Sequence, residues 1–167
     1  MNINFKLFLL VFLLITGPSF TDESNNDIAF YTGKFDIKDE VGDDETTLFG
    51  FEHRNPNLFR TTLFGKLAPV SGAFLTGKGS TYVYTGVEAQ YNLGPLTFTP
   101  SFAPGLYEKG DGKDLGDVLE FKSELKISLN ILGDTSLGFT HSHISNNDWG
   151  SVNPGSDNQS LMISRKF

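Results

Sequence analysis

Most of this 167-residue chain alternates apolar and polar residues with a period of two, and this pattern constrains its fold more than any other feature. The clearest example is the stretch 118–131. One face of it collects Leu119, Phe121, Leu125, Ile127, Leu129 and Ile131, and the other collects Glu120, Lys122, Glu124, Lys126 and Asn130. A strand separates its side chains in this way, whereas a helix would scatter both sets around its axis. The stretch is therefore predicted to be an amphipathic β-strand, and no convincing helical period follows residue 21.

The same alternation predicts eight strands along the chain. They cover residues 28–37, 46–55, 58–70, 80–92, 96–106, 117–131, 135–145 and 157–167. Short turns are predicted at 55–57, 93–95 and 132–134, and long loops near residue 43 and at 71–79, 107–116 and 146–156. Short turns that alternate with long loops are typical of an up-and-down membrane barrel, with the turns in the periplasm and the loops outside.

Alternation alone does not say which face points inward, so a soluble lipocalin-like barrel is the competing fold. Three features favour the membrane barrel. The last strand ends in an aromatic residue, Phe167; the presumed inner face pairs charged positions at 120–126 with Gly138, Thr140 and Ser142; and aromatic residues are abundant at strand ends. Pro100 and Pro104 weaken the fifth strand. We predict an all-β protein, an eight-stranded antiparallel up-and-down transmembrane β-barrel that follows a cleaved signal peptide.

The amino terminus has one charge, Lys6, then an apolar run over residues 7–15 and turn-forming residues at 17–19. This is the pattern of a secretory signal peptide. The alternative, a membrane anchor, would need about 20 apolar residues, roughly twice the length of this run. We expect residues 1–21 to be the signal, with cleavage after Ser19 or Thr21, and residues 22–167 to form one domain.

Composition excludes several functions. There is no cysteine, so disulfides, thiol nucleophiles and thiolate metal sites are absent. The net charge of −7 argues against nucleic acid as a partner. Acidic residues gather at 38–45 and 107–117, and we interpret both segments as solvated loops.

Candidate chemistry lies in the last hairpin, where polar residues occupy the face that should contact lipid. His143 and Ser145 are two positions apart, so their side chains leave the same face of the seventh strand about 6.5 Å apart. Asp157 on the eighth strand has the parity to reach that face. A hydroxyl, an imidazole and a carboxylate so placed are the parts of a hydrolytic triad.

An acyl transfer also needs donors for the oxyanion. The loop at 153–155 offers the side-chain amide of Asn153 and backbone N–H groups near Gly155. The alternative interpretation is a polar rim without catalysis, since His-x-Ser is a weak motif and Asn-Pro-Gly an ordinary turn.

The chain resembles the lipid A 3-O-deacylase family of outer-membrane barrels. The resemblance rests on His143-Ile144-Ser145-Asn146, the later Asn153-Pro154-Gly155 and the acid at 157, and it is strongest from residue 115 to the carboxyl terminus. It implies Ser145 as nucleophile, His143 as base, Asp157 as the orienting acid, Asn153 and nearby amides as oxyanion donors, and Asn146 as an accessory that shapes the site.

The resemblance also implies the activity. The expected protein is an esterase without metal or cofactor that removes a hydroxyacyl chain from lipid A of lipopolysaccharide, with its site facing the outer leaflet of a Gram-negative outer membrane. An inactive structural barrel and an esterase or phospholipase for other lipids are the alternatives, and a homodimer is left open.

Two departures from the family pattern bear on these expectations. The family usually has Glu where this chain has Asp157, and a small residue where it has Asn147. The first departure leaves catalysis plausible, because Asp commonly fills the role of the acid in a triad. The second departure bears on how the substrate fits more than on the chemistry. His141 shares a face with His143 but lacks a third metal ligand, and Trp149 is interpreted as an interface anchor.

Overall fold

The computed structural model describes residues 19–20, 26–37 and 45–167, and within them eight long strands close into one antiparallel barrel. The strands are β1 (Asp27–Phe35), β2 (Thr46–Arg54), β3 (Gly65–Thr76), β4 (Thr81–Ala89), β5 (Leu96–Glu108), β6 (Leu119–Leu132), β7 (Thr135–Ser145) and β8 (Ser156–Lys166). Each pairs with its neighbours in chain order, and β8 pairs with β1 to close the ring. The predicted fold is confirmed.

Three short segments complete the sheet. Leu58–Thr62 pairs with the start of β3 and so continues the line of β2, and Tyr91–Leu93 pairs with β5 and continues β4. Ser19–Phe20 pairs with residues 58–59. The rest of the predicted signal peptide, and most of the first acidic segment, lie outside the described residues. No helix among the residues described is long and apolar enough to cross a membrane.

The predicted third strand and its two connections are wrong. The chain reverses at residues 63–64 rather than at 55–57, and β3 continues to Thr76 through the predicted loop at 71–79. Gly72 lies within this part of β3 and faces the lumen. A Cβ at Gly72 would lie 2.5 Å from the hydroxyl oxygen of Tyr84, so this glycine makes room for a luminal ring inside a strand.

The prolines of the fifth strand are accommodated in the sheet. Pro100 and Pro104 lie within β5 and face outward, opposite Leu125 and Phe121 of β6. The pairing between β4 and β5 is interrupted next to Pro104, as expected for a residue without an N–H donor.

The inside of the barrel is polar and charged at mid-height. Lys126 contacts Glu52 and lies 2.5 Å from Glu88, and Lys122 lies 2.9 Å from Glu124, all on buried side chains. Arg54 reaches Glu88 at 2.5 Å. Towards the loops the lumen is filled instead by an apolar plug, built from Phe35, Leu48, Phe74, Tyr82, Tyr107, Leu115 and Ile144. The lumen is therefore a packed core and not a channel.

The outer wall is apolar. Its exposed side chains include Phe30, Phe51, Val83, Leu106, Leu129, Leu161 and Ile163. A soluble carrier barrel would have the reverse distribution, with an apolar interior and a polar exterior. A charged lumen inside an apolar wall is the arrangement that a bilayer requires.

The luminal charges should contribute strongly to stability. We expect Lys126→Met to leave the carboxylates of Glu52 and Glu88 buried without their shared cation and to cost about 3–5 kcal/mol of unfolding free energy. Urea titration in detergent, followed by loss of the heat-modifiable folded band, measures this. The control is Lys109→Met, which removes a lysine from an exposed loop pair with Asp114 and should leave the urea midpoint unchanged. Equal midpoints for Lys126→Met and the parent would contradict the luminal account.

Candidate active site

The antiparallel register of the last two strands brings the predicted base and acid together. His143 of β7 and Asp157 of β8 are direct cross-strand partners, and both side chains face outward. The His143 Nδ1 atom lies 3.3 Å from Asp157 Oδ1. Asp157 is the less exposed of the two, with 16% of its side chain accessible against 49% for His143. Despite its short side chain, Asp157 therefore reaches the imidazole.

Ser145 is the last residue of β7 and follows His143 on the same outward face. It is partly exposed and pairs with Phe121 of β6. Within the described part of the chain its hydroxyl forms no hydrogen bond to His143. The structure thus brings His143 and Asp157 into contact and places Ser145 beside them. The hydrogen bond between Ser145 and His143 that the predicted triad requires is not formed.

A second imidazole also approaches the acid. His141 Nε2 lies 3.7 Å from Asp157 Oδ1, so one carboxylate oxygen faces two histidines. Among the described residues, no group of three His, Asp or Glu side chains could hold a metal ion. The shared face of the two histidines was visible in the sequence, but their common partner depends on the cross-strand register, which was not.

Gly155 packs against the catalytic candidate His143. Its φ of 63° lies in the left-handed region. A Cβ built on Gly155 would lie 2.9 Å from Cε1 and 3.3 Å from Nε2 of His143. The Nε2 edge of the ring therefore faces the Gly155 backbone, while the Nδ1 edge faces Asp157. Only glycine satisfies both the backbone conformation and this close approach.

The two asparagines of the motif hold the loop between β7 and β8. Asn146 is fully buried, and its side-chain Nδ2 donates to the carbonyl oxygens of Leu115 at 2.8 Å and Val152 at 2.7 Å. The Asn146 backbone N–H donates to Asn153 Oδ1 at 3.2 Å, and Asn153 Nδ2 donates to Asp148 Oδ1 at 3.0 Å. Asn146 thus acts on the loop from the inner side. Asn153 has one side-chain N–H beyond its contact with Asp148.

A buried network that the sequence did not reveal supports the acid from behind. The Ile37 N–H donates to the Asp157 carbonyl oxygen at 2.8 Å, and the Asp36 N–H donates to Asn158 Oδ1 at 3.0 Å. Lys113 Nζ, from the loop between β5 and β6, donates to Asp36 Oδ1 at 2.9 Å. That loop is therefore not simply solvated. It inserts Lys113 into the barrel end and ties β1 and the start of β8 together.

Trp149 lies in the same loop as the site. Its ring meets Phe121 edge-on, with centroids 5.0 Å apart, beside the register position of Ser145. This contact places Trp149 on the outer side of the barrel rim, and its role as an interface anchor stays a prediction.

The family model described as lipid A 3-O-deacylase (PagL) matches residues 29–166. No curated protein sequence matches the chain. The crystal structure of the outer membrane enzyme PagL is 14% identical with a TM-score of 0.65, and the match covers 84% of this chain and 99% of that one.

Two further barrels share the fold. Neisserial surface protein A is 9% identical with a TM-score of 0.56, over 85% of this chain and 97% of its own. The Yersinia pestis outer membrane protein Ail is 10% identical with a TM-score of 0.51, over 87% and 100%. At these identities the structural matches show the fold alone.

The contact between Gly155 and His143 can be tested by adding one methyl group. We expect Gly155→Ala to displace the His143 ring and to change its imidazole NMR signals, besides straining the backbone. Gly94→Ala is the matched control, because Gly94 has a φ of 60° but nothing within 4 Å of the position that an added methyl group would take. Gly94→Ala should lose stability from the backbone alone, by about 1 kcal/mol or more, and leave the His143 signals unchanged. Unchanged His143 signals in Gly155→Ala would contradict the packing described.

Proposed function

Because the chain belongs to the lipid A 3-O-deacylase (PagL) family, we propose that it is an outer-membrane serine esterase that removes an ester-linked 3-O hydroxyacyl chain from lipid A. The observation that carries the proposal is the contact between His143 and Asp157 on the lipid-facing wall, next to Ser145. A carboxylate at Nδ1 fixes the tautomer in which Nε2 can accept a proton.

In the proposed reaction Ser145 Oγ attacks the carbonyl carbon of the acyl ester and its proton passes to His143 Nε2. The resulting oxyanion is stabilised by the free N–H of the Asn153 side chain and backbone N–H groups near Gly155. The ester C–O bond then breaks, and His143 returns the proton to the departing sugar oxygen. Water attacks the acyl-Ser145 intermediate with His143 again as base, which releases the hydroxy fatty acid and restores the serine.

The missing contact between Ser145 and His143 is compatible with this scheme. The two side chains leave the same face of β7 two residues apart, so rotation of the serine side chain brings the hydroxyl towards the imidazole. Catalytic hydrogen bonds are often long in unliganded sites and shorten when substrate binds. The reaction needs no cofactor, because the side chains supply nucleophile, base and charge stabilisation.

The position of the site on the wall suits a lipid substrate. It lies at the loop end of β7 and β8, which we assign to the outer leaflet because long loops face outside in such barrels. Farther down the same wall is an apolar groove of about 440 Å³, lined by outward residues of β1, β2, β7 and β8 that include Phe30, Phe49, Leu137 and Leu161. We assign the departing acyl chain to this surface.

The nucleophile can be tested against a neighbouring serine. We expect Ser145→Ala to lower the rate of fatty acid release from lipid A by about a thousandfold or more. Ser123→Ala is the control. Ser123 is exposed and is the cross-strand partner of His143 on β6, on the opposite side of His143 from Asp157. Mass spectrometry of lipid A incubated with each purified protein should show loss of one hydroxyacyl mass with the parent and with Ser123→Ala. If only Ser123→Ala were inactive, the nucleophile would be misassigned.

Substitutions of Asp157 test the alternative that the protein is a catalytically inactive barrel. Because Asp157 already reaches His143, we expect the parent to be active and Asp157→Glu to stay within about tenfold of it, while Asp157→Asn loses a hundredfold or more. A silent parent that Asp157→Glu switches on would favour the inactive barrel. Assays that compare lipid A with phospholipid vesicles separate the deacylase from a general lipid esterase, and faster release from phospholipid would favour the latter.

A further inference from the structure

Beside the site, polar residues on the lipid-facing wall extend farther towards the periplasmic end than they do on β5. Counted from the periplasmic end, outward residues of β7 are Leu137, Phe139, His141, His143 and Ser145; those of β8 are Ile163, Leu161, Gln159 and Asp157; those of β1 are Ile28, Phe30, Thr32 and Lys34. On β5 the outward residues stay apolar through Phe98, Pro100, Phe102, Pro104 and Leu106, and only the last residue of the strand, Glu108, is polar. A polar sector therefore cuts into the apolar band next to the site.

Three residues of this sector form a continuous row across neighbouring strands. His141 pairs with Gln159, and Gln159 pairs with Lys34. On the outward face, the His141–Gln159 pair is the next pair below His143–Asp157 on the membrane side, and the inward pair Ser142–Asn158 lies between them. The side chain of Lys34 is 56% exposed and that of His141 43% exposed, so both are open to a ligand approaching along the wall. We call His141, Gln159 and Lys34 the polar row.

Lys34 gives the row its charge. Of the other lysines described near the loop end, Lys78 lies in the loop between β3 and β4, Lys113 is mostly buried against Asp36, and Lys109 pairs with Asp114 in the loop after β5. Lys122 and Lys126 are inside the barrel. Lys34 Nζ lies 2.7 Å from Glu45 Oε1, but both side chains are about half exposed, so this pair is weak and open to competition by a more highly charged anion.

Lys34 is the last outward residue of β1, at the loop end that we assign to the outer leaflet, and we therefore infer that it faces lipid headgroups rather than acyl chains. Anionic headgroups attract such cations, and a phosphate offers several strong acceptor oxygens. The amide of Gln159 and the imidazole of His141 add hydrogen-bond donors along the same row. Adjacent strands are about 4.8 Å apart, so Lys34 on β1 lies about 10 Å from the strand that carries His143. One phosphorylated sugar that carries the ester can bridge such a gap.

We propose that the polar row binds a phosphate group of lipid A and thereby positions the ester at Ser145. The choice of ligand rests on the proposed function. Lys34 contacts the phosphate and releases Glu45 in doing so, while Gln159 and His141 donate hydrogen bonds to it. Lys34 is in this account a specificity residue that acts on binding, not on the acyl transfer.

The test is a binding titration that does not require turnover. Trp149 is the one tryptophan of the chain, and its fluorescence reports binding beside the site. In a Ser145→Ala background, bisphosphorylated lipid A and lipid A freed of phosphate are titrated in neutral detergent at low salt. Lys34→Gln should raise the Kd for the phosphorylated lipid about threefold to tenfold and leave the other Kd unchanged. Glu45→Gln should lower the Kd for the phosphorylated lipid by removing the competing carboxylate.

Lys109→Gln is the matched control, because it neutralises another exposed, salt-bridged lysine outside the row and should alter neither Kd. The proposal is overturned if Lys34→Gln binds both lipids like its parent, if Lys109→Gln weakens binding equally, or if phosphatidylglycerol binds with the same dependence on Lys34. Turnover of lipid A by the protein with Ser145 intact is measured separately. Its absence, with the Lys34 effect retained, would refute the esterase but not the phosphate site.

Discussion

The barrel depends on the charge cluster inside its lumen. Lys126 lies between Glu52 and Glu88, and Lys122 joins Glu124, so these side chains cannot face lipid without losing their partners. Because strand side chains alternate, fixing these residues inward fixes every odd position of β6 and β7 and the matching positions of β8 outward. A shift of one residue in register would place the site in the lumen. The position of His143, Ser145 and Asp157 on the outer wall therefore follows from the packing of the interior.

Contacts at the loop end of the barrel hold His143 and Asp157 in their positions on the outer wall. Asn146 closes the β7–β8 loop from within, Gly155 gives the imidazole of His143 its space, and Asp36 with Lys113 holds the start of β8. These contacts come from three separate segments of the chain: the end of β1, the loop between β5 and β6, and the connection between β7 and β8. They keep a short carboxylate, Asp157, in contact with His143, although its side chain is one methylene shorter than the Glu that the family resemblance led us to expect.

The alternation of residues was enough to predict the fold, most strand positions, and the faces of β6, β7 and β8, because period two maps directly onto the two sides of a sheet. It failed at β3, which continues through the predicted loop at 71–79 and in which Gly72 leaves room for the ring of Tyr84. The motif predicted that His143 and Asp157 meet. It could not reveal the approach of His141 to the same carboxylate or the role of Lys113, since both depend on register and on loop packing between segments distant in sequence.

The central claim is that a serine on the lipid-facing wall forms the acyl intermediate. A phosphonate analogue of the acyl ester, which forms a stable adduct with an activated serine, tests it directly when the modified protein is digested and the adduct is located by mass spectrometry. The account predicts one adduct, on Ser145, whose formation slows when His143 is replaced. An adduct on a luminal residue such as Ser142, or inactivation by the analogue with Ser145 unmodified, would contradict it.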